Sequence, residues 1–237
     1  PVFRLFQAEL EIVYEEKNRA MDNPFRIFYS TFNKNFFKKH PYGQQTILGS
    51  VEHLKNPSLT KMKQNFNEFY VPNNMYLILT GDFEKRHVKK IIKKKFGRLK
   101  KGDAIEPLNI KEDQFKGREV VDINITPYRI ARVGFRTVKP NHPDAIVLDV
   151  IANVFNNSSK TGLIDKLNTE NKILSASGYN SLGGKDHGGF GFGFIPKDDS
   201  QTFEEAESLI FEAIDKVKNG KFDEEILSSI KLSMKMS

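Results

Sequence analysis

Apolar positions between Phe3 and Met21 recur at spacings of three and four, which predicts a helix over 3–21 closed by the Asn23-Pro24 pair. "FRIFYSTFNKNFF" (25–37) predicts a second, aromatic helix that ends at the turn "HPYG" (40–43). Ser58 stands where an N-cap would open a third helix over 56–70, with Leu59, Met62, Phe66 and Phe69 as its apolar face. "NNMYLILTGDF" (73–83) reads as a buried strand and 84–97 as an amphipathic helix. Residues 105–117 are polar, carry Pro107 and Gly117, and show no period, so a linker is placed there.

Beyond the linker the pattern restarts. Strands are predicted at 119–125 and 130–138, then a helix over 142–157 with a start signal at Asp144 and a short helix over 162–171. "ILSASGYNSL" (173–182) and "GGFGFGFI" (188–195) read as strands, 199–220 as a helix closed by Gly220, and Asp223 opens a last helix. Strict Gly/Phe alternation has a period of two, which puts Phe190, Phe192 and Phe194 on one face. The glycine face then admits close approach by another backbone or side chain. Such alternation is a packed strand, not a phosphate loop. The fold class is α+β, with helices covering one face of an antiparallel-rich sheet.

The first helix holds an anomaly. Four glutamates fall within "ELEIVYEE" (9–16), and at about 100° per residue two of them separate from the rest. Glu16 lies within about 20° of Glu9, in a stripe shared with Leu5, Ile12, Val13 and Phe6. Glu11 and Glu15 point the other way. An unpaired carboxylate on an apolar face costs several kcal/mol or shifts its pKa, so Glu9 and Glu16 call for a partner.

Composition narrows the chemistry. The chain has 237 residues, 38% of them hydrophobic and 28% charged, which is ordinary globular usage for one or two domains. Cysteine is absent, which excludes disulfides, thiol catalysis and cysteine-ligated zinc. The net charge of +7 is concentrated in "EKRHVKKIIKKKFGRLKK" (84–101). There Val88, Ile91, Ile92 and Phe96 keep helical spacing, so the lysines form a solvated face. No aromatic platform is interleaved with them, and no nucleic-acid partner is expected. No apolar run is long enough to span a membrane.

None of the five histidines is followed by another four residues on, so H-E-x-x-H and H-x-x-E-H are both absent. G-x-S-x-G and the P-loop pattern are absent too. The order of other segments is specific, however. "ELEIVYEE", the turn at Asp22-Asn23-Pro24, the aromatic helix, "HPYGQQTILGSVEHL" (40–54), "FYVPNNMYLILTGDF" (69–83) and "FGRL" (96–99) together resemble the pitrilysin/insulinase family of zinc metallopeptidases.

That resemblance covers essentially the whole chain and implies two related domains. Residues 1–104 would be the C-terminal part of a first, zinc-site domain, incomplete here. Residues 118–237 would be a second, non-catalytic domain. It implies Glu16 as a zinc ligand and Glu9 as a supporting acidic residue, with H-x-x-E-H lying before Pro1. The parent would be a bacterial zinc endopeptidase acting on peptides, with a second pair of related domains in cis or in trans. Zn2+ would belong to the complete protein, and these residues alone would bind none. A cell-envelope, periplasmic or cytoplasmic location would suit it equally. Where the family carries a catalytic Arg and Tyr in a later repeat, this chain has Asn168 and Ser175. The alternative is a non-catalytic structural or binding homologue of the same fold.

Overall fold

The computed structural model describes residues 3–125, 127, 129–180 and 184–236. In chain order it contains α1 (Phe6–Met21), α2 (Pro24–Phe36), α3 (Pro41–Gln44), α4 (Val51–Lys55), α5 (Leu59–Phe69) and α6 (Lys85–Phe96). Then follow β1 (Ala131–Thr137), α7 (Ala145–Phe155), α8 (Leu163–Thr169), β2 (Ser175–Tyr179) and β3 (Gly188–Ile195). Two helices, α9 (Phe203–Lys218) and α10 (Glu224–Met236), close the chain. The α+β class holds. Residues 1–22 and 45–110 form one compact unit, and residues 23–44 and 111–237 form another.

The second unit is built on a three-stranded antiparallel sheet of order β1-β3-β2. Period two is realised along β3: Phe190, Phe192 and Phe194 are all buried, with Phe192 only 1% exposed. Their rings pack with Phe155 of α7, Ile164 of α8, Ile173, and Ala206, Ile210 and Ala213 of α9. Each ring contributes roughly 2–3 kcal/mol through burial. The predicted covering helices are therefore present and lie on the phenylalanine face. Thr202 and Glu205 form a reciprocal capping box that starts α9. Gly220, at φ +64, follows its end. Asp144 occupies the first position before α7, but its side chain makes no cap hydrogen bond.

In the first unit, Ser58 caps α5 as its position predicts, its hydroxyl accepting from Lys61 N at 3.3 Å. The strand expected over 73–83 is not there. A short 3-10 turn, Pro72–Asn74, precedes Met75, whose backbone is extended, but residues 75–80 join no ladder. Met75, Tyr76, Leu77, Ile78 and Leu79 are all exposed. The expected strand at 119–125 also joins no ladder, and Val120 and Val121 are exposed. Extended backbone becomes a strand only when a neighbour takes its N–H and C=O groups, and among the described residues neither segment has one. Val71 is the one buried side chain among the described residues of this unit. It packs on Gly102, where an added Cβ would lie 2.6 Å from Val71 Cγ1.

Candidate functional site

The carboxylate stripe on α1 comes first. No side chain caps this helix at Leu5; Glu9 lies in its first turn and Arg19 in its last, as the helix dipole favours. Glu9 and Glu16 are both exposed, and so are Leu5 and Ile12 of the same stripe. Phe6 and Val13 of the stripe are half-buried, α4 packs on α1, and Lys17 Nζ lies 3.4 Å from Thr46 Oγ1 in the segment before α4. Among the described residues no three His, Asp or Glu side chains stand close enough to hold a metal ion. Zinc in a catalytic site needs three protein ligands, and Glu16 offers one. The residues present do not by themselves make a zinc site.

Asn168 and Ser175 are placed apart in role. Asn168 Nδ2 donates to Ala176 O at 2.8 Å, and Ala176 N donates to Asn168 Oδ1 at 2.7 Å. The amide thus imitates a neighbouring strand and closes the free edge of β2. Asn156 Oδ1 accepts from Gly178 N on the same strand. Ser175 is exposed. The loop before α8 folds around Asp165, which is 1% exposed and accepts from Asn157 N, Gly162 N and Asn156 Nδ2 at 2.9–3.2 Å. These are structural uses of residue types that also serve in catalysis.

Sequence reasoning anticipated close approach to the glycine face of β3 but not what approaches. Helix α2 does. Register places Arg132 opposite Gly193 and Arg136 opposite Gly189, so both arginines of β1 rise from that face. Arg136 Nε donates to Phe36 O at 3.1 Å, at the C-terminal end of α2, where a cation is favoured. Its Nη2 also reaches Glu112 Oε2 at 3.1 Å. Glu112 in turn accepts from the backbone N–H groups of Lys38, Lys39 and His40 at 2.6–3.1 Å. Burial pushes the Glu112 pKa up, but those N–H groups and Arg136 outweigh it and hold it below the ordinary value.

Arg132 is different. Its guanidinium carbon lies 4.6–4.8 Å from the ring centroids of Tyr29, Phe32 and Tyr179. Burial lowers its pKa, and burial pushes the Tyr179 hydroxyl up to about 12 against the pull of Arg132. The "HPYG" motif forms a one-turn helix, α3, not an open turn. His40 is 3% exposed; its Nδ1 accepts from Tyr42 N at 3.2 Å, so Nε2 carries the proton, 3.7 Å from Asp186 Oδ2. Asp186 N donates to the Tyr42 hydroxyl at 3.2 Å, joining the motif to the turn that leads into β3. The signal for the arginines was present as "ARVGFRT" beside "GFGFGF", two period-two strands whose small and cationic positions share a face.

The second unit is thus a small antiparallel sheet with helices packed on it, and no catalytic centre is assembled among the described residues. The family model described as "Peptidase M16 inactive domain" matches residues 58–234, and the chain belongs to this family. It is 24% identical over 235 residues to the zinc protease PqqE of Helicobacter pylori, across 97% of this chain and 52% of that protein. To YmxG of Bacillus subtilis, named as an uncharacterized zinc protease, it is 25% identical across 73% of this chain and 41% of that protein. The chain spans about half the length of these relatives. A solved protease from Helicobacter pylori shares its fold with a TM-score of 0.83 at 23% identity, over 98% of this chain and 56% of that one. The first half of the periplasmic protease PqqL from Escherichia coli does so with a TM-score of 0.72 at 16% identity, over 96% and 49%.

Proposed function

We propose that these 237 residues are part of a bacterial zinc metalloendopeptidase in which Glu16 is a metal ligand and Glu9 a supporting acid. Residues 1–104 would close the zinc-site domain, 105–117 would link it onward, and 118–237 would be a non-catalytic companion. Zn2+ would be held in the complete protein, with the remaining ligands supplied from outside these residues; its bound water would be the hydrolytic group. Peptides would be the substrates, and a further pair of related domains would complete the enclosure. A periplasmic or other cell-envelope location is supported by the description of PqqL as periplasmic.

The observation that carries this reading is a pair of exposed carboxylates two turns apart on an apolar stripe of α1, in a chain whose relatives are named zinc proteases. The test is metal analysis of the parent polypeptide. Glu16→Gln should lower zinc content and abolish peptide cleavage, because a neutral amide is a far weaker ligand. Glu9→Gln should keep most of the metal and lose about 10–100-fold in rate. Full zinc occupancy in the Glu16 variant would sink the assignment.

A non-catalytic homologue is the second reading, and one observation favours it for 118–237. Asn168 is committed to the β2 edge and Ser175 offers no ring hydroxyl, so this unit supplies neither an arginine nor a tyrosine at those two positions.

A further inference from the structure

The glycine face of the sheet in the second unit carries two arginines, and they are not treated alike. Arg136 is neutralised by Glu112 and accepted by Phe36 O. Arg132 is half-buried in a cage of three rings, and its Nε is buried with no hydrogen-bond partner among the described residues. None of the ion pairs among the described residues involves Arg132, and the groups among them that raise its pKa against burial are the tyrosines Tyr179 and Tyr29. A cation withdrawn from water without an anion is an expense that a ligand would relieve.

The groups around it are of one kind. Register places Ser177 of β2 beside Gly193 of β3, and Gly193 opposite Arg132 of β1, all on one face. Ser177 is exposed, about 10 Å of sheet separates it from Arg132, and only a glycine lies between them. Tyr29, Tyr179 and Ser177 bring hydroxyls that make no hydrogen bond among the described residues. Burial keeps the Tyr179 hydroxyl protonated to about 12, so it remains a donor. The floor has room as well: a Cβ added at Gly193 would meet only Tyr179 Cε1 and the Tyr179 hydroxyl oxygen, each at 3.9 Å. A guanidinium stacked among tyrosine rings, with unbonded hydroxyls on the same side of the sheet and no carboxylate partner among the described residues, is complementary to a planar oxyanion.

We propose that the Arg132 cage, over the glycine floor at Gly193, is a binding site for a carboxylate, presented by a peptide through either its free C-terminus or an acidic side chain. The site stands on the second unit alone, so it does not depend on the role of Glu16. The test is a titration of the 15N-labelled full chain at constant ionic strength, read at the Arg132 side-chain Nε–H resonance. The probes are acetyl-triglycine, its C-terminal amide, and acetyl-Gly-Glu-Gly-amide. Acetyl-triglycine, acetyl-Gly-Glu-Gly-amide or both should give a saturable shift, and whichever does identifies the source of the carboxylate; acetyl-triglycine amide should give none.

Three substitutions bear on it. Tyr179→Phe keeps the cage and removes one donor, and should weaken binding roughly tenfold. Gly193→Ala leaves every donor in place and makes an ordinary van der Waals contact, so the fold is kept while a methyl group occupies the floor. It too should weaken the probe. Arg132→Gln should abolish saturable shifts at neighbouring backbone amides. Equal responses to the acid and the amide of triglycine, or binding undiminished in Gly193→Ala and Tyr179→Phe together, would overturn the proposal.

Discussion

Glu112 and Arg136 meet at 3.1 Å, with the Glu112 side chain 3% exposed and the Arg136 side chain 17%. Together they hold both the C-terminal end of α2 and the chain that leaves it, because Glu112 also receives three successive backbone N–H groups from Lys38 to His40. A nest of N–H donors around a carboxylate is an anion site filled from within the chain.

The pH dependence follows from the direction of the Glu112 shift. Its folded pKa lies below the ordinary value, so its contribution is present above the unfolded pKa, near 4.5, and is lost as pH falls through the folded value. Glu112→Gln should remove that acid-side loss of stability. At neutral pH it should cost about 1–3 kcal/mol, because an amide replaces a charge-assisted acceptor. Denaturant unfolding at pH 7 and pH 3.5 checks both. Equal pH slopes for wild type and variant would contradict this role.

Gly178 lies under Phe192. A Cβ at Gly178 would come 2.9 Å from Phe192 Cε1 and 3.1 Å from Cδ1, with Phe155 Cβ at 3.4 Å. The ring is held between α7 and β2 with no room to withdraw, so Gly178→Ala should destabilise by about 1–3 kcal/mol through overpacking. The midpoint of urea unfolding should fall while its slope is kept.

Asn168 stands in for a missing strand at the edge of β2, making two hydrogen bonds to Ala176, itself 4% exposed. Asn168→Ala would leave a buried N–H and C=O unmet, a cost of about 1–3 kcal/mol. Hydrogen exchange at the Ala176 amide should accelerate more than at Phe192, in the central strand. An unchanged Ala176 rate would show that water replaces the amide without penalty.

How much of this was written in the sequence depends on the range of each interaction. Local signals survived: Ser58 sits at the start of α5, Gly220 follows the end of α9, and the Gly/Phe alternation gave the buried face of β3. The strand over 73–83 was misread because an apolar extended run specifies only half of a ladder, and no described neighbour supplies the rest. Helix α2 over the glycine face was not legible either, since Arg136 and Phe36 lie 100 residues apart. The stripe of Glu9 and Glu16 was legible as a pattern, and both carboxylates stand exposed on α1.

Lysines of α6 illustrate a charge run with no structural duty. Lys89, Lys90, Lys93 and Lys94 are all exposed, and no ion pair among the described residues involves them. Reversing any three to Glu should change stability by less than about 1 kcal/mol. Thermal unfolding of the triple variant in moderate salt measures it, and loss of the folded state would show charges paired within the structure.

Tyr179 gives the last expectation, on the alkaline side. Burial raises its pKa from 10.0 to about 12, although Arg132 pulls the other way. Six tyrosines besides Tyr179 occur in the chain, so the ultraviolet titration should be assigned by difference against Tyr179→Phe. The missing step in the variant should lie near 12, well above an ordinary tyrosine. The sign for stability is the reverse of the Glu112 case: a folded pKa above the unfolded one means the contribution is complete below 10 and declines as pH rises toward 12. Arg132→Gln removes the opposing pull and should move the Tyr179 step higher still. A step that moves down in that variant would show that the guanidinium does not face the ring as the 4.8 Å separation places it.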